Sequence, residues 1–180
     1  MVGCVVVILL NGDAVMIYRS LRDSPTVTQN LIERSDAFTH VVQSSVSPED
    51  LDRLNALAQK INSELEPGEV IPAEDYRAFV DLYRTAASSL IRAAEAHNDL
   101  YGDDGDAGRM LIRLPHSRED MLQEPFPRSQ SLLAEKRALE PDDVAAVNEE
   151  IDRAVAHLVG NYVAFQYRAM LSRNELIHST

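Results

Sequence analysis

The chain has 180 residues, of which 45% are hydrophobic and 26% charged, and this balance excludes a disordered or collagen-like protein. Its formal net charge of −12 argues against nucleic-acid binding through phosphate contacts, which requires a basic surface. The one cysteine, Cys4, excludes an intramolecular disulfide and favours a reducing compartment, so we expect a cytoplasmic protein.

The first 20 residues contain two apolar runs on either side of Asn11-Gly12. β-Branched residues around Asn-Gly are typical of a tight hairpin, so we predict an apolar β-hairpin over residues 1–20. A membrane anchor over residues 2–18 is the first alternative, with the arginines that follow on the cytoplasmic side. Asp13 would then lie in the bilayer, at a cost of roughly 2.5–3.5 kcal/mol. A signal peptide is the second alternative, although no basic segment precedes the apolar run.

Residues 26–101 are predicted to be helical. Over residues 26–44, apolar side chains recur near one helix face. Ser47-Pro48 and the two acidic residues that follow indicate a helix start, with a capping hydroxyl, a first-turn proline and acids at the positive end of the helix dipole. A long amphipathic helix is predicted over residues 72–101 and would span roughly 45 Å.

Residues 102–130 are predicted to be a loop-rich connection. Aspartate and glycine dominate its first part, and residues 110–114 are predicted to form a short strand. Ser117 is predicted to cap a brief helix, which Pro125 and Pro127 interrupt.

Residues 131–180 are predicted to form the C-terminal helical region, with a helix over 131–139 and a second long helix over about 141–173. The heptad-like spacing of apolar residues in this second helix is typical of helix-on-helix packing. Without an internal repeat or a clear linker, we expect residues 1–180 to form a single domain. The predicted fold class is mainly α: a helical bundle with two long antiparallel helices and a small N-terminal β-hairpin.

The candidate metal site is the acidic loop of Asp103, Asp104 and Asp106, because clustered carboxylates suit hard cations. The spacing does not match an EF-hand, and a solvated turn is the alternative. The sequence contains no Gly-rich phosphate loop, no nucleophile elbow and none of the Glu-x-x-His pairs of di-iron bundles. We therefore predict a non-enzyme without a cofactor or metal.

An excess of apolar surface is the main functional signal. Residues 155–171 are predicted to form a helix that is apolar on several sides, so either this chain or another subunit must cover it. The hairpin raises the same question, because an isolated two-stranded hairpin is marginal in water and its edges accept further strands. The residues predicted to bind a partner are Val5, Val7, Leu9, Leu158, Tyr162, Phe165 and Tyr167.

These features predict a non-catalytic interaction or structural subunit of a larger assembly, whose partner is another protein or a second copy of the chain and not a nucleic acid. Three alternatives stay open. The chain is a membrane-tethered accessory subunit anchored by residues 2–18, an acidic inhibitor of a basic protein, or a metal-dependent enzyme that uses the acidic loop at 103–106. Fractionation, the salt dependence of binding and elemental analysis separate these alternatives.

Overall fold

A computed structural model describes residues 45–101, 111–123 and 125–178. These ranges contain five helices and no strand, which confirms the prediction of a mainly helical protein. The helices are α1 (Pro48–Glu64), α2 (Ala73–Tyr101), α3 (Arg118–Leu122), α4 (Pro127–Glu135) and α5 (Pro141–His178). The predicted hairpin over 1–20, the predicted helix within 26–44 and the acidic loop at 103–106 lie outside the described residues.

Helix α1 begins where its sequence signal predicts. The Ser47 hydroxyl accepts a hydrogen bond from the Asp50 backbone N–H at 3.1 Å, which satisfies one of the N–H groups that a helix start leaves unpaired. Leu54, Ala58 and Ile61 follow at helical spacing and are buried, so one face of α1 packs into the core.

The turn between α1 and α2 is joined to the chain that precedes α5. Gly68 has a φ of 95°, a conformation that glycine adopts without steric cost. Its N–H donates to the Leu139 carbonyl at 2.8 Å, and the Leu139 N–H donates to the Glu69 carbonyl at 2.7 Å. This pair of backbone bonds closes one end of the bundle.

Aromatic side chains of α2 form the centre of the core around Phe126. The Phe126 ring meets the rings of Tyr76, Phe79 and Tyr83 edge-on, with centroid distances of 6.2, 5.5 and 5.3 Å. All four side chains are almost fully buried. Edge-to-face aromatic pairs at these distances add to the stabilisation from buried area, so this cluster fixes how the chain before α4 sits on α2.

The two long helices run parallel, and the prediction that they are antiparallel is wrong. Near the start of α2, Tyr76 lies beside Ser129, whose hydroxyl donates to Glu150 in the first part of α5 at 2.6 Å. Near the end of α2, the His97 ring lies 3.2 Å from Ser172, close to the end of α5. The described chain between them accounts for the direction, because it passes from Ile112 beside the end of α2 back to Phe126 near its start.

The short strand predicted over 110–114 is absent from its described part, residues 111–114. An Asn98 side chain takes the place of a neighbouring strand. Its Oδ1 accepts from the Ile112 N–H at 2.7 Å, and its Nδ2 donates to the Ile112 carbonyl at 2.9 Å. A side-chain amide thus satisfies the backbone groups that a sheet would otherwise have to pair.

The helix predicted over 131–139 begins earlier, at Pro127, and ends at Glu135. Its N-cap residue, Phe126, makes no side-chain cap, and the carboxylate of Glu150 on α5 caps the helix instead. Glu150 accepts from the Arg128 N–H at 2.7 Å and from the Ser129 N–H at 3.0 Å. The predicted breaker Pro127 is therefore the first residue of α4, a position where a missing N–H is harmless.

Candidate functional site

A stripe of exposed apolar side chains runs along the second half of α5. Val159 is 41% exposed, Val163 59%, Tyr167 56% and Met170 53%. Successive members are four, four and three residues apart, so they share one helix face. We call these four residues, together with the exposed Ala156 on the same face, the α5 stripe.

All of the stripe except Met170 lies in a segment without charge. From Ala154 to Tyr167 the sequence has no Asp, Glu, Lys or Arg, although 26% of the chain is charged. The opposite face of this segment supplies Leu158 and Phe165 to the core. A helix with one buried face ordinarily carries polar and charged residues on its solvent face. The α5 stripe departs from that pattern over about four turns.

The residues predicted to bind a partner fall into three groups. Leu158 and Phe165 are fully buried in the core of this chain, Tyr162 is half-buried, and Tyr167 is exposed. The helical period explains why these residues differ in exposure. Leu158 and Phe165 are seven residues apart and share the helix face that the core covers, whereas Tyr162 and Tyr167 lie off that face. The other predicted residues, Val5, Val7 and Leu9, lie outside the described residues.

Sequence reasoning did not single out Val159, Val163 and Met170. The helical spacing of these three residues is evident in the sequence, and so is the spacing of Leu158 and Phe165. The sequence alone does not show which of these two apolar faces packs into the chain's own core. The exposed face therefore became visible with the packing of α5 against α2.

Two stacked histidines lie at the N-terminal edge of the stripe. The rings of His116 and His157 are 3.8 Å apart between centroids and 15° from parallel. A Cβ on Gly160 would come within 3.7 Å of the His116 ring, so this part of α5 is in van der Waals contact with it. Burial lowers the pKa of His157, and the neighbouring His116 and Arg153 lower it further, while Asp120 opposes them. The lowered pKa favours the neutral form of the His157 ring that stacks on His116.

Asn161 of α5 holds the chain that carries His116. Its Oδ1 accepts from the His116 N–H at 2.9 Å, and its Nδ2 donates to the His116 carbonyl at 2.9 Å. The Asn161 side chain is fully buried. It makes the same two-bond contact that Asn98 makes to Ile112, so two helices each fix one end of the extended segment before α3.

A pocket of about 470 Å³ lies between α2, α3 and α5. The side chains relevant to its chemistry are Tyr83, Glu119, Asp120, Gln123, Arg153 and His157. The Tyr83 hydroxyl is buried without a hydrogen-bond partner in the described part of the chain, and burial raises its pKa to about 12. The lining mixes two carboxylates, a guanidinium and an imidazole, so it presents no single charge to a ligand.

Ser117 beside this pocket is a helix cap, as predicted. Its hydroxyl accepts from the Asp120 N–H at 3.1 Å, and its backbone N–H donates to the Asp120 carboxylate at 2.9 Å. The hydroxyl also donates to that carboxylate at 2.8 Å. These bonds form a capping box and lower the pKa of Asp120. Because both partners are engaged in the cap, they do not form a nucleophile and base pair.

A second charged cluster, at the start of α5, serves the helix terminus. The Asp143 carboxylate is almost fully buried and accepts from Arg137 Nη1 at 2.6 Å, from the Glu140 N–H at 3.0 Å and from Arg128. These donors, Arg137 foremost, hold the pKa of Asp143 well below its usual range. The cluster is therefore an ion-paired helix cap.

No group of three or more His, Cys, Asp or Glu side chains in the described ranges is placed to hold a metal ion. The candidate ligands Asp103, Asp104 and Asp106 lie outside those ranges. None of the helices between residues 45 and 178, as far as they are described, combines the length and apolarity that crossing a bilayer requires. No protein-family model, curated protein or solved structure matches the chain.

Proposed function

We propose that this protein is a non-catalytic interaction subunit that binds another protein chain through the α5 stripe. The observation that carries the proposal is the uncharged, exposed and apolar face of α5 around Val163. Scattered exposed apolar residues are ordinary, but a contiguous row marks an interaction site.

In the free chain the apolar side chains of the stripe contact water, which costs free energy. Burying a large apolar side chain is worth about 1.5–3 kcal/mol. The four large members of the stripe are each about half exposed, so a partner that covers them gains several kcal/mol before the cost of association. The rigid core behind the stripe lowers that cost, because Leu158 and Phe165 already hold α5 in place.

The pocket beside His157 supports catalysis less well. Ser117 and Asp120 are occupied with each other in the helix cap, and the Tyr83 hydroxyl stays protonated at neutral pH. Neither arrangement supplies an activated nucleophile. We propose that the chain is not an enzyme because these side chains provide no activated nucleophile. This proposal applies to the described residues.

The roles proposed for the N-terminal segment follow the same reasoning from sequence. Val5, Val7 and Leu9 are proposed as a second docking element, and a cytoplasmic location accords with the single cysteine. Anchoring by residues 2–18 is the competing proposal for this segment. Extraction of the native protein without detergent supports docking, and a requirement for detergent supports the anchor.

The experiment is a comparison of three forms of the full chain as bait: wild type, Val163→Glu and Val70→Glu. Val70 is the matched control, since it is 54% exposed and lies in the turn between α1 and α2, away from the stripe. All three are checked for unchanged helix content and purified under native conditions. A chain captured by the baits is identified, purified and titrated against each of them.

We expect wild type and Val70→Glu to bind the captured chain equally and Val163→Glu to bind it at least tenfold more weakly, because a buried unpaired carboxylate is costly. Equal binding by Val163→Glu and the control would contradict the proposal.

A further inference from the structure

We propose that the chain bound by the α5 stripe is a second copy of the same protein, with the two α5 helices packed antiparallel about an axis at Val163. This inference rests on the proposed function and names the partner of the same surface.

Side-chain size increases along the stripe from its N-terminal end. Ala156 and Val159 lie on one side of Val163, and the larger Tyr167 and Met170 lie on the other. An antiparallel pair centred on Val163 sets Ala156 against the partner's Met170 and Val159 against the partner's Tyr167. Each small residue then faces a large one, which fills the interface evenly. In a parallel pair each residue would face its own copy. The large Tyr167 and Met170 side chains would then meet each other, and a gap would be left between the two Ala156 side chains.

Exposed carboxylates precede the stripe on α5. Glu149 and Asp152 are exposed on the same helix face, two turns and one turn before Ala156 respectively. Asp152 is held there by Asn62 of α1, whose Nδ2 donates to Asp152 Oδ1 at 3.0 Å. A parallel pair would bring these carboxylates against their own copies. The antiparallel pair separates the two Asp152 positions by about 33 Å along the helix axis.

Long-range charge also bears on the choice of partner. Each copy carries a formal charge of −12, so two copies repel at a distance, yet the stripe itself contributes no charge to the contact. The exposed charges of Asp152, Arg153 and Arg168 lie towards the ends of the stripe, and the segment from Ala154 to Tyr167 between them offers no charge to attract a partner. An uncharged surface is the kind that can face its own copy without an unpaired buried charge.

The size of the stripe sets the expected strength. From Ala156 to Met170 it is about 21 Å long, and one helix face of that length is smaller than the roughly 800 Å² per partner of a standard stable interface. We therefore expect a reversible dimer whose population rises with protein concentration in the micromolar range.

The test uses full-length variants in which Cys4 is replaced by serine and a single new cysteine is introduced. The positions are Ala156→Cys, Val163→Cys and Met170→Cys, with Val70→Cys as the exposed control away from the stripe. Each variant, and an equal mixture of the first and third, is treated with a short bifunctional maleimide. Sedimentation equilibrium of the wild type is run in parallel.

We expect a covalent dimer from Val163→Cys alone and from the mixture of Ala156→Cys with Met170→Cys. Ala156→Cys alone and Val70→Cys should remain at 20.0 kDa. A dimer from Ala156→Cys alone would overturn the antiparallel arrangement.

The outcome for this inference is separable from that for the proposed function. A wild-type mass of 20.0 kDa at every concentration up to the millimolar range, without crosslinking at Val163→Cys, would overturn the second copy as partner. Binding of a different captured chain that Val163→Glu abolishes would then still support the α5 stripe as a docking surface. If the protein neither forms a dimer nor binds another chain through the stripe, both the second copy as partner and the proposed function are refuted.

Discussion

At the scale of single residues, two asparagine side chains make hydrogen bonds to backbone groups that secondary structure would otherwise pair. Asn98 and Asn161 each offer an acceptor and a donor to one backbone position of the segment before α3. Neither was predictable from sequence, because an asparagine inside a helix carries no local signal of a partner 14 or 45 residues away. Ser47 and Ser117 were predictable, since the groups they cap lie three residues ahead.

The value of the Asn161 contact is measurable against a neighbour on the same helix. Asn161→Ala leaves the His116 N–H and carbonyl without their partner, so we expect the free energy of unfolding to fall by about 1–3 kcal/mol. Asn148→Ala is the control, because its Oδ1 has no partner among the described residues. Urea unfolding measures both, and an equal loss in the two variants would contradict the role given to Asn161.

Two histidines, the buried His97 and the partly buried His157, predict the pH dependence of stability. Burial lowers the pKa of His97, beside Ser172, and that of His157, which faces His116, Arg153 and Asp120. As the pH falls below about 6.5, the unfolded chain binds protons that the folded chain does not. Protonation then favours unfolding.

We therefore expect the free energy of unfolding to decrease between about pH 7.5 and pH 5.5, and to decrease less steeply in His157→Asn. Urea unfolding across this range is the measurement. A stability that rises as the pH falls through 6.5 would contradict this prediction.

At the scale of elements, helix α4 depends on a cap from another helix. Glu150 binds the first N–H groups of α4 from a distance of about 20 residues along the chain. The sequence therefore predicted the existence of a helix here but not its start, because the capping carboxylate reaches Pro127 only in the folded chain. Helix α5 shows the opposite case: Pro141 and the acids behind it marked its start locally.

Removal of this carboxylate should affect α4 before the rest of the bundle. In Glu150→Gln one oxygen becomes an N–H donor that faces the Ser129 N–H and hydroxyl. We expect a loss of about 1–3 kcal/mol and faster amide hydrogen exchange in residues 128–132. The adjacent and exposed Glu149→Gln is the matched control, and indistinguishable exchange in the two variants would refute the capping role.

At the scale of the whole molecule, the lengths of the helices were predictable and their directions were not. Periodicity and caps marked α1, α2 and α5 because these signals are local. The direction of α5 depends on the path of the chain from Ile112 to Phe126, and the contacts that set this path join residues far apart in sequence. A short loop would have implied an antiparallel neighbour, whereas this connection returns along the bundle first.

The stripe was partly predictable for the same reason. The apolar character of residues 155–171 was evident from sequence. Tyr167, one of the residues predicted to bind a partner, is exposed in the structure, and its binding role stays a prediction. The choice between the faces of Leu158 and Val163 required knowledge of where α2 packs.

Salt should strengthen self-association. Chains with a formal charge of −12 repel each other, and salt screens that repulsion over a Debye length of about 10 Å at 0.1 M, while contacts between apolar side chains persist. We expect the dimer fraction from sedimentation to increase between about 0.05 and 0.5 M salt. A marked decrease would instead favour an interface made by charged groups.

The most direct test of the α5 stripe is hydroxyl-radical footprinting of the full chain, free and assembled. Met170 and Tyr167 are more than half exposed in the free chain, Val70 is equally exposed outside the stripe, and Met121 is fully buried. The account predicts that assembly lowers labelling of Met170 and Tyr167 severalfold and leaves Val70 and Met121 unchanged. Unchanged labelling of Met170 and Tyr167 in a complex that is shown to be assembled would contradict it.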